Sequence, residues 1–170
     1  MTQAGSHQAV DWAGVAARWL LGATFCYMGS VKVLHPVEFL KLVRQYDLVH
    51  NPVLLNSIAA ALPWFEVFCG VLLIAGVAVR GSATMLVLML VPFTVVVLRR
   101  ALAMQAAQDI PFCAVKFDCG CGAGEIVICG KLVENAALLL LACWMVVGAG
   151  RRFCARYSLG AAASRRPAPR

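Results

Sequence analysis

Charge is what this chain has least of. Asp, Glu, Lys and Arg make up 14% of its 170 residues, and eight of those residues are acidic. A soluble domain normally carries about 25% charged residues, whereas here 62% of the residues are hydrophobic and the mean hydropathy is +0.81. A water-soluble globular enzyme is excluded by that balance. No Lys or Arg stands in "MTQAGSHQAVDWAG", ahead of the first apolar run, so the positive n-region of a secretory signal is missing. That run is too long for a signal core and is expected to stay as a membrane span. No internal repeat is present. Polar residues are so sparse in the apolar runs that transport of a small solute has little to work with. The net charge of +7 does not indicate nucleic-acid binding, because six of the fifteen basic residues fall in the last twenty positions. A basic tail beside a membrane suits an anionic lipid surface.

Crossing a bilayer takes about 20 apolar residues in a helix. Four stretches meet that length: residues 13–34, 57–79, 82–98 and 132–150. The expected fold is therefore all-α and integral to the membrane, a bundle of four transmembrane helices. Arg18 and Lys32 lie near the ends of the first span, where both could snorkel. Pro63 and Pro92 should kink their helices, and "RGS" at residues 80–82 reads as a tight hairpin. Between the first two spans, Phe39, Leu42, Val43 and Tyr46 recur at helical spacing, which predicts a short amphipathic helix at the interface. Residues 1–12 form an N-terminal segment, 13–150 the membrane domain, and 151–170 a basic tail expected to be disordered. With four spans, eight basic residues fall on the side of the termini and seven on the other. Arg151 and Arg152, abutting the last span, tip the orientation towards cytoplasmic termini.

Four of the eight cysteines, Cys113, Cys119, Cys121 and Cys129, crowd into seventeen residues between the third and fourth spans. In "DCGC" one glycine separates Cys119 from Cys121. A disulfide there closes a small, strained ring, and strain makes a disulfide easier to reduce. Such a dithiol suits a thiol–disulfide relay, with Cys113 and Cys129 as shuttle or resolving thiols. Two other readings stand beside it. Disulfides that merely staple the loop are common in oxidising compartments. Zinc is the other, although gaps of five, one and seven residues do not match usual zinc spacing, and no metal ligand is assigned. Asp118 adjoins Cys119 and can tune its thiol or accept a proton. Glu66 lies well inside the second apolar run, where a carboxylate is costly and marks a functional candidate. Its natural partner is Lys32, in a structural ion pair or a proton-handling pair. Lys131 and Glu134 are three apart and can pair on one helix face. Cys26, Cys69 and Cys143, inside the apolar runs, read as small hydrophobes.

These residues also carry a resemblance. "GSVKVLHPVEFLKLVRQYDLV", followed by "LPWFEVFCGVLLIAG", resembles the first half of the DoxX-like superfamily, and most of all MauE, the methylamine-utilisation membrane protein. The matching positions include Ser30, Lys32, Pro36, Phe39, Tyr46, Leu48, Pro63, Glu66 and Gly70, with "CGC" at Cys119–Cys121 and "LVENAALLLLA" opening the last span. The likeness covers roughly residues 12–150. It departs at "CGCGAGE", where the family usually has "CGCFG". The resemblance implies a four-helix membrane bundle with a redox-associated function; the expected location is the bacterial inner membrane, and cytoplasmic termini would put the cysteine loop in the periplasm. The resemblance further implies redox work in maturing a cysteine-rich client, such as the methylamine dehydrogenase small subunit, beside a thioredoxin-like partner. A quinone is the obvious membrane electron carrier for that work, although no residue set in the sequence marks a pocket for one. The rival expectation is a non-catalytic assembly factor or structural subunit of a membrane complex.

Overall fold

A computed structural model describes residues 3–46, 51–119 and 124–147, with side chains from Trp12 onward. The elements are α1 (Gln3–Leu34), α2 (Pro36–Gln45), α3 (Pro52–Ala75), α4 (Val79–Gln108), a single 3-10 turn (Phe112–Ala114), β1 (Lys116–Asp118), β2 (Glu125–Val127) and α5 (Ile128–Val147).

Local chemistry sets most of the boundaries. Pro36 opens α2, where its missing N–H costs nothing, and Glu38 and Arg44 sit at the ends that the helix dipole favours. The predicted interfacial helix is thus present, with Phe39 buried and Leu42, Val43 and Tyr46 half-buried on one face. The Asn51 side chain accepts hydrogen bonds from the amides of Val53 (2.9 Å) and Leu54 (3.3 Å) to cap α3. α3 runs through Pro63 and stops at Gly76, whose φ of 72° only glycine takes at no cost. There Val77 donates to the Leu72 carbonyl and Gly76 to that of Leu73. The hairpin is therefore at Gly76–Ala78 and not at "RGS". Arg80, Gly81 and Ser82 already belong to the first turn of α4, and Arg80 donates to the carbonyl of Val147 at the end of α5.

At its other end α4 continues through "RRALAMQ", the stretch after Leu98 that reads as a possible interfacial turn. It passes Arg99 and Arg100 without a break and ends at Asp109. The cysteine loop is not wholly irregular either. β1 and β2 pair antiparallel, with Phe117 opposite Ile126. Strands of three residues are too short to leave a readable alternation.

Among the described residues three helices, α3, α4 and α5, are long and apolar enough to cross a membrane. α1 is long but more polar. Its charges explain the difference, because Arg18 is 1% and Lys32 4% exposed. Neither snorkels; both face into the bundle, so they lower the apolarity of α1 without facing lipid. Trp64, Phe65, Phe68, Leu88 and Leu140 are exposed around the outside, an apolar girdle suited to lipid contact. α1 packs chiefly on α3 and α4 on α5. One core, including Leu21, Phe25, Leu73, Leu86, Leu90 and Met145, fills the bundle. A second, including Met28, Val97, Ala101, Val115, Phe117 and Cys119, seats the cysteine loop on α1, α4 and α5.

Candidate functional site

α1 and α3 come together through glycine. A Cβ added at Gly70 would lie 2.7 Å from the Gly22 carbonyl oxygen and 2.9 Å from the Cys26 amide. That close approach sets the register of the two helices and brings Lys32 and Glu66 into one plane. The Lys32 ammonium donates to both carboxylate oxygens of Glu66, at 2.6 and 2.7 Å. Glu66 is 6% exposed. A charge so buried is tolerated only when paired and hydrogen-bonded. The Phe39 and Phe93 rings flank the ammonium, their centroids 5.4 and 6.0 Å away, within cation–π range. Lys131, from α5, also acts on Glu66 electrostatically. It is buried and bonded to Glu134 at 2.9 Å. Nearby in the same interface, Asn135 donates to Thr94 at 3.1 Å.

A cavity of about 320 Å³ opens beside this pair. Its wall is largely apolar and draws on α1, α2, α3 and α4. Lys32 and Glu66 lie on it, as do Tyr46 and Cys119. The interfacial helix α2 thus forms one side, through Phe39, Leu42, Val43 and Tyr46.

The cysteine loop is tied to the same place. The Tyr46 hydroxyl donates to the Cys119 carbonyl at 3.0 Å. Arg100 donates to the backbone carbonyl and the side-chain oxygen of Gln45, at 2.8 and 3.0 Å, and lies over the rings of Tyr46 and Phe117. Cys113 and Cys129 form a disulfide with Cα atoms 5.2 Å apart, joining the 3-10 turn to the first turn of α5. Cys113 is exposed and Cys129 half-buried, whereas Cys119 is 1% exposed beneath them. Cys121 lies outside the described residues. Asp118 is half-buried on β1 opposite Glu125. A zinc site using all four cysteines is not the arrangement present, since two of the sulfurs are bonded to each other.

The family model described as "Methylamine utilisation protein MauE" matches residues 10–148. The chain belongs to that family. No curated protein and no solved structure matches it. As a MauE-family chain with three long apolar helices, it is a multi-pass membrane protein. The matched range takes in both the Lys32–Glu66 pair and the cysteine loop.

Among the positions singled out in the sequence, the structure gathers Lys32, Glu66 and Cys119 around one cavity and places Cys113 and Cys129 in a bond outside it. Sequence reasoning missed Arg100 and Phe93, which look like ordinary members of a long helix. It also read Lys131 only as one half of an ordinary pair with Glu134 on one helix face. Its burial has a trace in the sequence, because Lys131 and Asn135 are four apart and so share the inward face of α5. Cys26 and Cys69 pack within the helices, and Cys143 lies on the outer face of α5.

Proposed function

We propose that this chain is a four-span thiol–disulfide redox protein of the bacterial inner membrane. Its termini lie in the cytoplasm and its cysteine loop in the periplasm. There it supports disulfide formation in a cysteine-rich client, such as a methylamine dehydrogenase small subunit, together with a thioredoxin-like partner. α1 is the fourth span, its inward charges shielded by the bundle.

One observation carries the reading: sulfur stands at two depths. The Cys113–Cys129 disulfide reaches the surface through Cys113, and Cys119 is buried below it against the cavity. An exposed disulfide can exchange with a thiol of a soluble partner by thiolate attack. Cys119, with Cys121 two residues on in the sequence, is the centre that exchanges electrons with the membrane, and the neighbouring Asp118 accepts a proton. Lys32 and Glu66 hold the bundle together and line the proton route. The test is a redox titration of the purified protein with thiol alkylation and mass mapping of Cys113, Cys119, Cys121 and Cys129. Cycling near the potential of a strong periplasmic oxidant, about −120 mV, is the expected result. Cysteines locked below about −300 mV sink the relay.

A second reading rests on the position of the same disulfide. It bridges the start of α5 to the turn that follows α4, 16 residues apart, as a staple would. A non-catalytic assembly factor is then the function, and both cysteines of the bond would resist reductants that leave the protein folded.

A further inference from the structure

We infer that the cavity beside Lys32 and Glu66 is a binding site for the head group of an isoprenoid quinone, which is the membrane partner of the redox centre. The inference rests on the relay proposed above.

Four features of the cavity select that ligand. Its volume of about 320 Å³ lies at the small end of ligand sites, roughly 300–1,000 Å³, and suits a single ring better than a whole lipid. Its wall carries aromatic side chains, Phe25, Phe39 and Phe93, against which a flat ring can stack. Leu88 lines the cavity and is also 61% exposed on the outer, lipid-facing surface. If α4 spans the membrane as proposed, the cavity is open at Leu88 and a prenyl tail can remain in the bilayer there. Finally, an ammonium has three N–H donors, and two of those on Lys32 go to Glu66. The third suits a quinone carbonyl, an acceptor that a fatty acyl chain does not offer.

The chemistry balances with this acceptor. Cys119 lines the cavity and supplies one thiol; in the proposed relay Cys121 supplies the other. The two thiols lose two electrons and two protons and close an S–S bond. The quinone gains two electrons and two protons, its two carbonyls become hydroxyls, and it leaves as quinol. Lys32 is the binding and positioning group for one quinone oxygen. Tyr46 holds the Cys119 backbone against the site.

The experiment uses the full chain in lipid nanodiscs, titrated with decyl-ubiquinone and with menadione while tryptophan fluorescence quenching is followed. A photoactivated azidoquinone is mapped by mass spectrometry in parallel. Saturable quenching and labelling on α2, α3 or α4 are expected. Leu62→Phe, which fills the cavity, should weaken binding at least tenfold, and Ile58→Phe serves as a second filling variant. The paired replacement Lys32→Met with Glu66→Leu keeps the site apolar and should weaken binding by a similar factor while unfolding stays cooperative. Quenching that does not saturate, unchanged affinity in both filling variants, or displacement by palmitate as effective as by menadione overturns the site. The redox titration separates the two claims. Thiols that cycle without quinone binding leave the relay and remove this site, whereas quinone binding beside locked thiols does the reverse.

Discussion

α3 packs on α1, α2 and α4, and it meets the first and the last of these in opposite ways. Against α1 it packs backbone to backbone, with Gly22 and Gly70 leaving no room for a methyl group. Against α4 it stands off and leaves a cavity of about 320 Å³. Interhelical association in a membrane depends on close packing, because lipid is as apolar as leucine. The α1–α3 seam is thus the structural half of the bundle. The α3–α4 gap forgoes dispersion contacts that a filled interface would gain, and it lies where the buried charges and Cys119 converge. Tightness and the candidate site adjoin on one helix, because Gly70 and Glu66 lie four residues apart and share a face.

That contrast can be broken from either side. The largest effect is expected from Glu66→Leu, which strands the Lys32 ammonium in the bundle and should destabilise by about 3–5 kcal/mol. Adding Lys32→Met should restore most of the loss, and thermal unfolding in detergent of both variants checks it. Next comes Gly70→Ala. One methyl group against the Gly22 carbonyl should cost about 1–3 kcal/mol, whereas Leu62→Phe, on the gap side of the same helix, should change stability by less than about 0.5 kcal/mol. Equal losses at the two positions would erase the distinction. A modest and local effect is expected from Tyr46→Phe, which deletes the hydrogen bond to the Cys119 carbonyl at about 1 kcal/mol. Faster alkylation of Cys119 after reduction, with an unchanged unfolding temperature for the helical bundle, would show that the bond acts on the loop.

How much of this could be read in advance depended on the range of the interaction involved. The amphipathic face of α2 was legible because Phe39, Leu42, Val43 and Tyr46 repeat within one short helix. The Lys32–Glu66 pair was legible because a carboxylate deep in an apolar run needs a cation, and few are within reach. The hairpin was misplaced because Arg80–Ser82 looks polar, whereas the chain turns where Gly76 accepts a left-handed conformation. Arg18 was expected to snorkel; length and composition do not say which side of α1 faces the bundle. The bonding of Cys113 to Cys129 was not legible at all. Spacing favoured the close pair Cys119–Cys121, and only the fold brings the turn after α4 against the first turn of α5.

The length of α4 bears on how the disulfide meets the outside world. At 1.5 Å per residue its 30 residues reach about 45 Å, against roughly 30 Å of hydrocarbon. The apolar part, Val79–Leu98, suffices for the crossing. The last ten residues, Arg99–Gln108, continue the same rod beyond it. Ala101 and Arg100 on that extension bear the second core and the tie to α2. The sulfur–sulfur bond is therefore mounted on a stiff mast and not hung from a tether. If the proposed relay operates, a protein arriving from the water would find it at a set height and angle, and little conformational entropy would be lost as the two surfaces engage.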